Sequence, residues 1–217
     1  MVTTTPDTFS PSLAPTPSVP PTSRDDIRRQ MRRRRRALSR AEARQAARAL
    51  ARQLGNSTLF LRSRHIAFYL ANDGEMDLMP LIERAWAMGK HCYLPVLSPT
   101  FHNRLWFARF LPDTALAPNR FRIPEPLGRG HELRPAWSID LMLTPLVAFD
   151  GIGNRLGMGG GFYDRTLAYL LRRDCWHKPE LMGIAYEFQR QDRLPHAPWD
   201  VPLHGVATDQ ALHRFGK

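Results

Sequence analysis

Cysteine is nearly missing from these 217 residues: only Cys92 and Cys175 occur, and there is no CxxC pair. That excludes a disulfide framework and a zinc site of the usual spacing. Cys92 falls within the apolar run HCYLPVL, where a buried, inert thiol is the expected reading. No apolar run approaches the roughly 18 to 20 residues that a spanning helix needs. The first residues lack a basic stretch followed by an apolar one, so no secretory signal is read there and the chain is expected in the cytoplasm. His65, His91, His102, His131, His177, His196, His204 and His213 show neither HExxH nor H-x-H spacing, so no histidine metal cluster is expected. No internal repeat is visible.

Acidic residues are also short, 20 against 31 basic ones, which leaves a net charge of +11. Such an excess points to an anionic partner: nucleic acid, nucleotide phosphates or a polyanionic metabolite. Its distribution is uneven, because eight arginines fall between Arg24 and Arg36. Before them, sixteen of the first 23 residues are Pro, Ser or Thr, too little apolar surface to offset the entropy of ordering. A disordered tail over 1–23 and a single domain over 24–217 are therefore expected, since the length is too small for two enzyme domains.

The pattern along the chain alternates. A basic helix is predicted from Arg24, with Ile27, Met31 and Leu38 on a sparse apolar face that needs a partner. Ser39 and Glu42 form a capping box, opening a second helix with Ala46, Leu50 and Leu54 on one face and Gly55-Asn56 at its end. HIAFYLA (65–71), PLIERAWAMGK (80–90) and HCYLPVL (91–97) read as one β-α-β unit. Strands over 105–110, 139–150, 181–188 and 205–209 and a helix over 161–173 complete the set. The alternation predicts an α/β fold of three layers, a mostly parallel sheet flanked by helices (Rossmann-like), with an N-terminal helical pair.

GIGNRLGMGGGFYD (151–164) lies between a predicted buried strand and a predicted helix, where α/β sheets open their ligand crevices. It contains no G-K-[ST], and GMGGGF does not fit G-x-G-x-x-G. The residues alone fit two readings equally: a glycine-rich turn for close packing, or a phosphate cradle of backbone amides with Arg155 as a planar fork. Asp164 is then either an N-terminal helix stabiliser or a magnesium ligand.

TPLVAFDGIGNRLGMGGGFYDRTL, YLANDGEMDLMPLIERAWAMGKHCYLPVL, FRIPEP and LPHAPWDVPLHGVATD resemble, in order, segments of the 5-formyltetrahydrofolate cyclo-ligase family. The resemblance runs from Arg24 to the C-terminal end. It implies an ATP- and magnesium-dependent ligase that phosphorylates the formyl oxygen of 5-formyltetrahydrofolate and closes the ring through N10. It implies Arg24, Arg28, Arg155, Leu156, Gly157, Met158, Gly159, Gly160, Gly161, Phe162 and Tyr163 at ATP, with Arg155 and Tyr163 catalytic. Leu70, Glu75, Met158 and Phe162 are implied at the folate, and Asp164 and Asp200 at Mg2+. Some relatives carry basic residues at the positions of Met158 and Gly160, which this chain lacks. Arg32 to Arg36 encircle a helix and are expected to be mostly solvated surface. Trp86 is expected in the core, and Trp199 beside the site. No membrane and no specific nucleic-acid partner is expected, and the sequence does not distinguish monomer from dimer. The rival reading is a polyanion-binding protein that uses Arg24 to Arg36; it gives no reason for Arg155, the glycine loop, Asp164, Asp200 and Glu75 to occur together. A different kinase or ATPase on the same fold is disfavoured by the folate-side matches.

Overall fold

The computed structural model describes residues 23–98, 103–127, 133–172 and 178–216. The Pro/Ser/Thr-rich stretch through residue 22, Cys175, His102, His131 and His177 lie outside the described residues.

Helix α1 (Arg24–Ala37) starts at Ser23, whose hydroxyl accepts from the Asp26 amide at 3.1 Å. Asp25 and Asp26 occupy its first turn and Arg34, Arg35 and Arg36 its last, each sign at the end that the helix dipole favours. Its buried stripe is Ile27, Met31 and Arg35, at four-residue spacing. α2 (Arg40–Gly55) opens with the expected capping box, the Glu42 amide donating to Ser39 Oγ at 3.2 Å and the Ser39 amide to Glu42 Oε2 at 2.8 Å. The two helices form the expected N-terminal pair in sequence, but they dock on different partners.

After α3 (Thr58–Arg62), the β-α-β unit is β1 (His65–Ala67), α4 (Met79–Ala87) and β2 (His91–Leu97). Then follow β3 (Leu105–Arg109), β4 (Leu116–Pro118), β5 (Pro124–Pro126), β6 (Leu133–Arg134), β7 (Leu141–Pro145), β8 (Ala148–Phe149) and β9 (Arg155–Leu156). α5 (Phe162–Leu167), β10 (Glu180–Ile184), β11 (Gly205–Ala207) and β12 (Leu212–Arg214) complete the order. The main sheet runs β12-β11-β10-β7-β1-β2-β3-β6. Its five central strands are parallel, β12 and β3 join antiparallel at either side, and β6 lies beyond β3.

Side chains alternate across the sheet with period two and divide the core. Ile66, Cys92, Leu141 and Met182 face α2, α3 and α4 through Leu50, Leu54, Phe60, Leu81 and Ile82. Ala67, Tyr93, Met142 and Leu181 face the opposite way, toward Leu167 of α5, Val201 and Leu203. The result is helix, sheet, helix. Cys92 is buried, and burial pushes its thiol up to about 12, so it stays protonated and inert. Trp86 is partly buried against the first core and donates Nε1–H to the Phe110 carbonyl at 2.9 Å. No helix among the described residues is long and apolar enough to cross a membrane.

Four predicted elements differ most in extent. The strand predicted over 181–188 is β10, which ends at Ile184, and Glu187–Gln189 then form a 3-10 turn. The strand predicted over 65–71 keeps only His65–Ala67, and the chain then leaves the sheet as a loop toward residue 75. The strand predicted over 139–150 divides at Pro145, which has no amide to donate; β7 ends there and β8 pairs instead with β9. The helix predicted over 161–173 is α5 followed by a tighter turn over Ala168–Leu171, which lays Tyr169 and Leu170 on the second core.

Candidate active site

At the C-terminal ends of β1, β2 and β7 lies a cavity of about 780 Å³. Parallel α/β sheets place ligands at this end because the connecting loops diverge there. Its wall contains every residue singled out for the site: Arg24, Arg28, Leu70, Glu75, Arg155 through Asp164, and Asp200. They arrive from four distant parts of the chain.

The glycine-rich segment is two structures. Residues 150–154 close the β8–β9 hairpin, and the buried Asp150 carboxylate organises the turn. It accepts from the amides of Ile152 (3.1 Å), Asn154 (3.0 Å) and Leu194 (3.1 Å) and from Asn154 Nδ2 (2.9 Å). The hairpin thereby delivers Arg155 to the cavity floor. Residues 157–161 then form the open loop. Gly159 and Gly161 have φ of +100° and +63°, left-handed values that a Cβ opposes, and Gly161 caps α5. Arg28 Nε donates to the Gly157 carbonyl at 2.9 Å, and Arg165 Nη2 donates to that of Gly160. The loop's carbonyls thus turn to arginines, while the amides of Met158, Gly159, Gly160 and Gly161 find no protein acceptor among the described residues. A row of unpaired N–H groups at a helix start is a cradle for an anion.

Beneath that loop, Arg155 has a side chain only 5% exposed, with Nη2 at 2.5 Å from Asp164 Oδ1 and Nη1 donating to the Val201 carbonyl. Burial lowers its pKa, against the pull of Asp164, Asp200 and Tyr163. Asp200 pairs with Arg24 Nη2 and accepts from the Ala197 amide at 2.8 Å, and Arg24 Nε donates to the Pro195 carbonyl at 3.1 Å. α1 is thereby fastened to the C-terminal segment across the cavity mouth. Among the described residues no three His, Cys, Asp or Glu side chains converge. A complete protein cage for a metal is therefore not built, whereas two carboxylates beside an anion cradle suit a hard cation that shares its shell with phosphates and water.

At the other end, Glu75 Oε2 accepts from the Asn72 amide at 3.1 Å, and Oε1 lies 4.0 Å from Arg35 Nη1. Burial raises its pKa, opposed by Asn72 and Arg35. Tyr69 donates to the Met76 carbonyl at 2.9 Å, and burial followed by Glu75 raises its phenol. Burial and then Glu75 also push the Tyr163 phenol upward.

Of Arg32 to Arg36, Arg33, Arg34 and Arg36 are exposed, as expected for most of the run, whereas Arg32 is partly buried and Arg35 is buried. Burial pushes the Asp73 carboxyl up, but hydrogen bonds and charge from Arg32 and Arg36 outweigh it and hold the pKa below the ordinary value. Arg32 Nε reaches Asp73 at 2.6 Å, Arg35 Nη2 at 3.3 Å, and Arg36 also pairs with it. Arg34 lies over the Phe188 ring at 4.5 Å. Arg35 is buried with Nε unpaired, wedged between Asp73, Glu75 and the Leu146 carbonyl. Its position was visible in the sequence, because Ile27, Met31 and Arg35 continue one four-residue stripe. Phe121, Asn119 and Glu125 of the β4–β5 hairpin also line the cavity and were missed, as was Tyr69. Phe121 meets Phe162 edge-on at 5.6 Å; strands of three residues leave no period by which to find it. Trp199 lines the rim, 67% exposed.

Residues 21–209 match the model of the 5-formyltetrahydrofolate cyclo-ligase family. The 5-formyltetrahydrofolate cyclo-ligase of Escherichia coli K12 is 44% identical over 145 residues, 66% of this chain and 76% of that protein. The Haemophilus influenzae protein of the same name is 44% identical over 147 residues, 67% of this chain and 75% of its own. Among solved structures, 5,10-methenyltetrahydrofolate synthetase from Aquifex aeolicus superposes with a TM-score of 0.75 at 30% identity, covering 89% of this chain and 93% of that one. Because the match spans the hairpin, the open loop and the Asp200 segment alike, this chain belongs to the 5-formyltetrahydrofolate cyclo-ligase family.

Proposed function

We propose that this chain is a cytoplasmic enzyme that converts 5-formyltetrahydrofolate to 5,10-methenyltetrahydrofolate, using ATP and Mg2+ and releasing ADP and phosphate. The observation that carries the reading is the continuity of one cavity from the unpaired amides of the glycine loop to Tyr69, Leu70 and Glu75. Two dissimilar ligands, one polyanionic and one flat and polar at its edge, fit its two ends.

The loop amides and Arg28 bind the ATP phosphates, and Arg155 holds a fixed positive charge in a nearly dry wall, where it acts more strongly than in water. Asp164 and Asp200 would hold Mg2+, which would supply charge neutralisation at the phosphates. Leu70, Met158 and Phe162 flank the pterin and benzoyl rings, and Glu75 accepts hydrogen bonds from pterin N–H groups. Tyr163 stays protonated and donates its O–H toward the formyl oxygen. That oxygen attacks the γ-phosphorus as the bond to the β,γ-bridging oxygen breaks, and ADP departs. The N10 lone pair then attacks the formyl carbon, the C–O bond breaks, N10 loses its proton, and phosphate carries away the original formyl oxygen. For such transfer the protein's share is positioning and electrostatics.

The test is to incubate the purified chain with 5-formyltetrahydrofolate, ATP and Mg2+ and follow the near-ultraviolet absorbance of the methenyl product. Product formation requiring all three is expected; folded protein that yields none overturns the reading.

A further inference from the structure

We infer that the outer face of α2 is a docking surface for the phosphate backbone of double-stranded nucleic acid, separate from the catalytic cleft. The arginine excess first suggested α1 for such a role, but most of its arginines are already committed to carboxylates. Arg24, Arg28, Arg29, Arg32 and Arg36 are all paired with aspartates. On α2 the situation is reversed. Arg40, Arg44, Arg48 and Arg52 recur every four residues, all four are exposed, and none has an ion pair or hydrogen-bond partner among the described residues. The helix's one acidic residue, Glu42, is committed to the capping box. None of the four lines the cavity.

The geometry favours one occupant. From Arg40 to Arg52 the helix rises about 18 Å, over which one strand of a duplex carries about five phosphates. Four-residue spacing drifts by about 40° per step, so three to four guanidinium groups reach a single backbone at once. Guanidinium forks match phosphate oxygens in geometry as well as charge. A lipid surface fits poorly, because the apolar stripe of Ala47, Leu50, Ala51 and Leu54 is already buried in the core and leaves nothing to enter a bilayer. Single strands fit poorly too, because α2 carries no aromatic side chain for bases to stack upon. Phosphate-only contact implies binding without sequence preference.

The experiment measures fluorescence anisotropy of labelled duplex RNA and duplex DNA with the full chain across roughly 50 to 200 mM salt. A single-stranded oligonucleotide and vesicles of phosphatidylcholine with phosphatidylglycerol serve as the competing arms. Duplex binding is expected with Kd on the order of 10⁻⁶ to 10⁻⁴ M at physiological salt and a log–log salt slope of about −3. The variant combining Arg40→Gln, Arg44→Gln, Arg48→Gln and Arg52→Gln should bind at least about tenfold more weakly, with less than about half that slope. Its cyclo-ligase activity should be unchanged. The milder Arg44→Gln/Arg48→Gln variant keeps the test decisive if the quadruple variant does not fold. Equal affinity and slope for wild type and the α2 variants, tighter binding to single strands or vesicles than to duplex, or an equal loss on Arg29→Gln/Arg33→Gln would each overturn the proposal.

Discussion

Glu75 shows how one buried carboxyl can be costly to the fold and useful to the proposed site. Burial raises its pKa above the ordinary 4.5, so the native chain holds this proton more tightly than the unfolded chain does. Its contribution to stability is therefore fully present below pH 4.5 and is lost as the pH rises through the native pKa. Glu75→Gln removes that loss. Thermal melts across pH should show the variant melting above wild type at pH 8, with the gap closing toward pH 4. The same variant should raise KM for the folate by about tenfold or more, because it removes a charge-assisted acceptor, worth about 1.5 to 3 kcal/mol. A variant melting below wild type at pH 8 would mean that Arg35 and the Asn72 amide more than compensate for burial.

Among the elements, the glycine loop is where an added side chain would be strained, and α1 supplies the grip. At Gly161, with φ of +63°, an alanine Cβ would come within 3.0 Å of the Arg165 guanidinium. Gly161→Ala should cost about 1 to 2 kcal/mol from the left-handed backbone alone, and Gly161→Asn, which tolerates that region, should recover part of it. Chemical denaturation reads the stability, and KM for ATP reads the loop. α1 rests on Ile27 and Met31, packed against Val147, Ala148, Leu156 and Leu194. Met31→Ala should lose about 2 to 5 kcal/mol, and the KM for ATP should rise with it, since Arg24 and Arg28 ride on the same helix. An unchanged KM in a destabilised variant would separate α1 from nucleotide binding. Elements with a long local code were legible: α2 through its capping box and Ala/Leu stripe, and β2 through HCYLPVL. β4, β5, β6 and β12 were not, because two or three residues cannot display a period. The Asp150 turn was hidden for another reason, since one of its four donors is Leu194, 44 residues away. On the site, Arg155, the loop and Asp164 are contiguous, so the residues alone raise a phosphate cradle there as one of two equal readings, while Asp200 and Glu75 are suggested only by the family resemblance. Phe121 and the pairing of Arg35 with Asp73 depend on contacts between distant segments.

At the scale of the whole molecule, the cavity is where separate segments are held by charge. α1 brings Arg24 to Asp200, the hairpin brings Arg155 to Asp164, and the loop after β1 is gripped at Asp73 by three arginines of α1. Both carboxylates proposed for Mg2+ are thus already neutralised by arginine. Bare ATP adds four negative phosphate oxygens to a site whose carboxylates lie alongside them, whereas ATP with Mg2+ brings the cation those carboxylates favour. Nucleotide should therefore stabilise the fold chiefly in the presence of magnesium. At a ligand concentration of 100 times Kd, binding to the native state alone adds about 2.7 kcal/mol. For a chain of this size that corresponds to a rise in Tm of about 5 to 11 °C. Differential scanning fluorimetry should show that rise with ATP and Mg2+, and most of it should vanish when EDTA is added. Asp164→Asn should shrink the magnesium-dependent part, because one of two carboxylates is gone, while leaving any magnesium-independent shift intact. Equal shifts with and without EDTA would remove Asp164 and Asp200 from the metal, and would leave Arg24 and Arg155 as structural ties between the segments that wall the cavity.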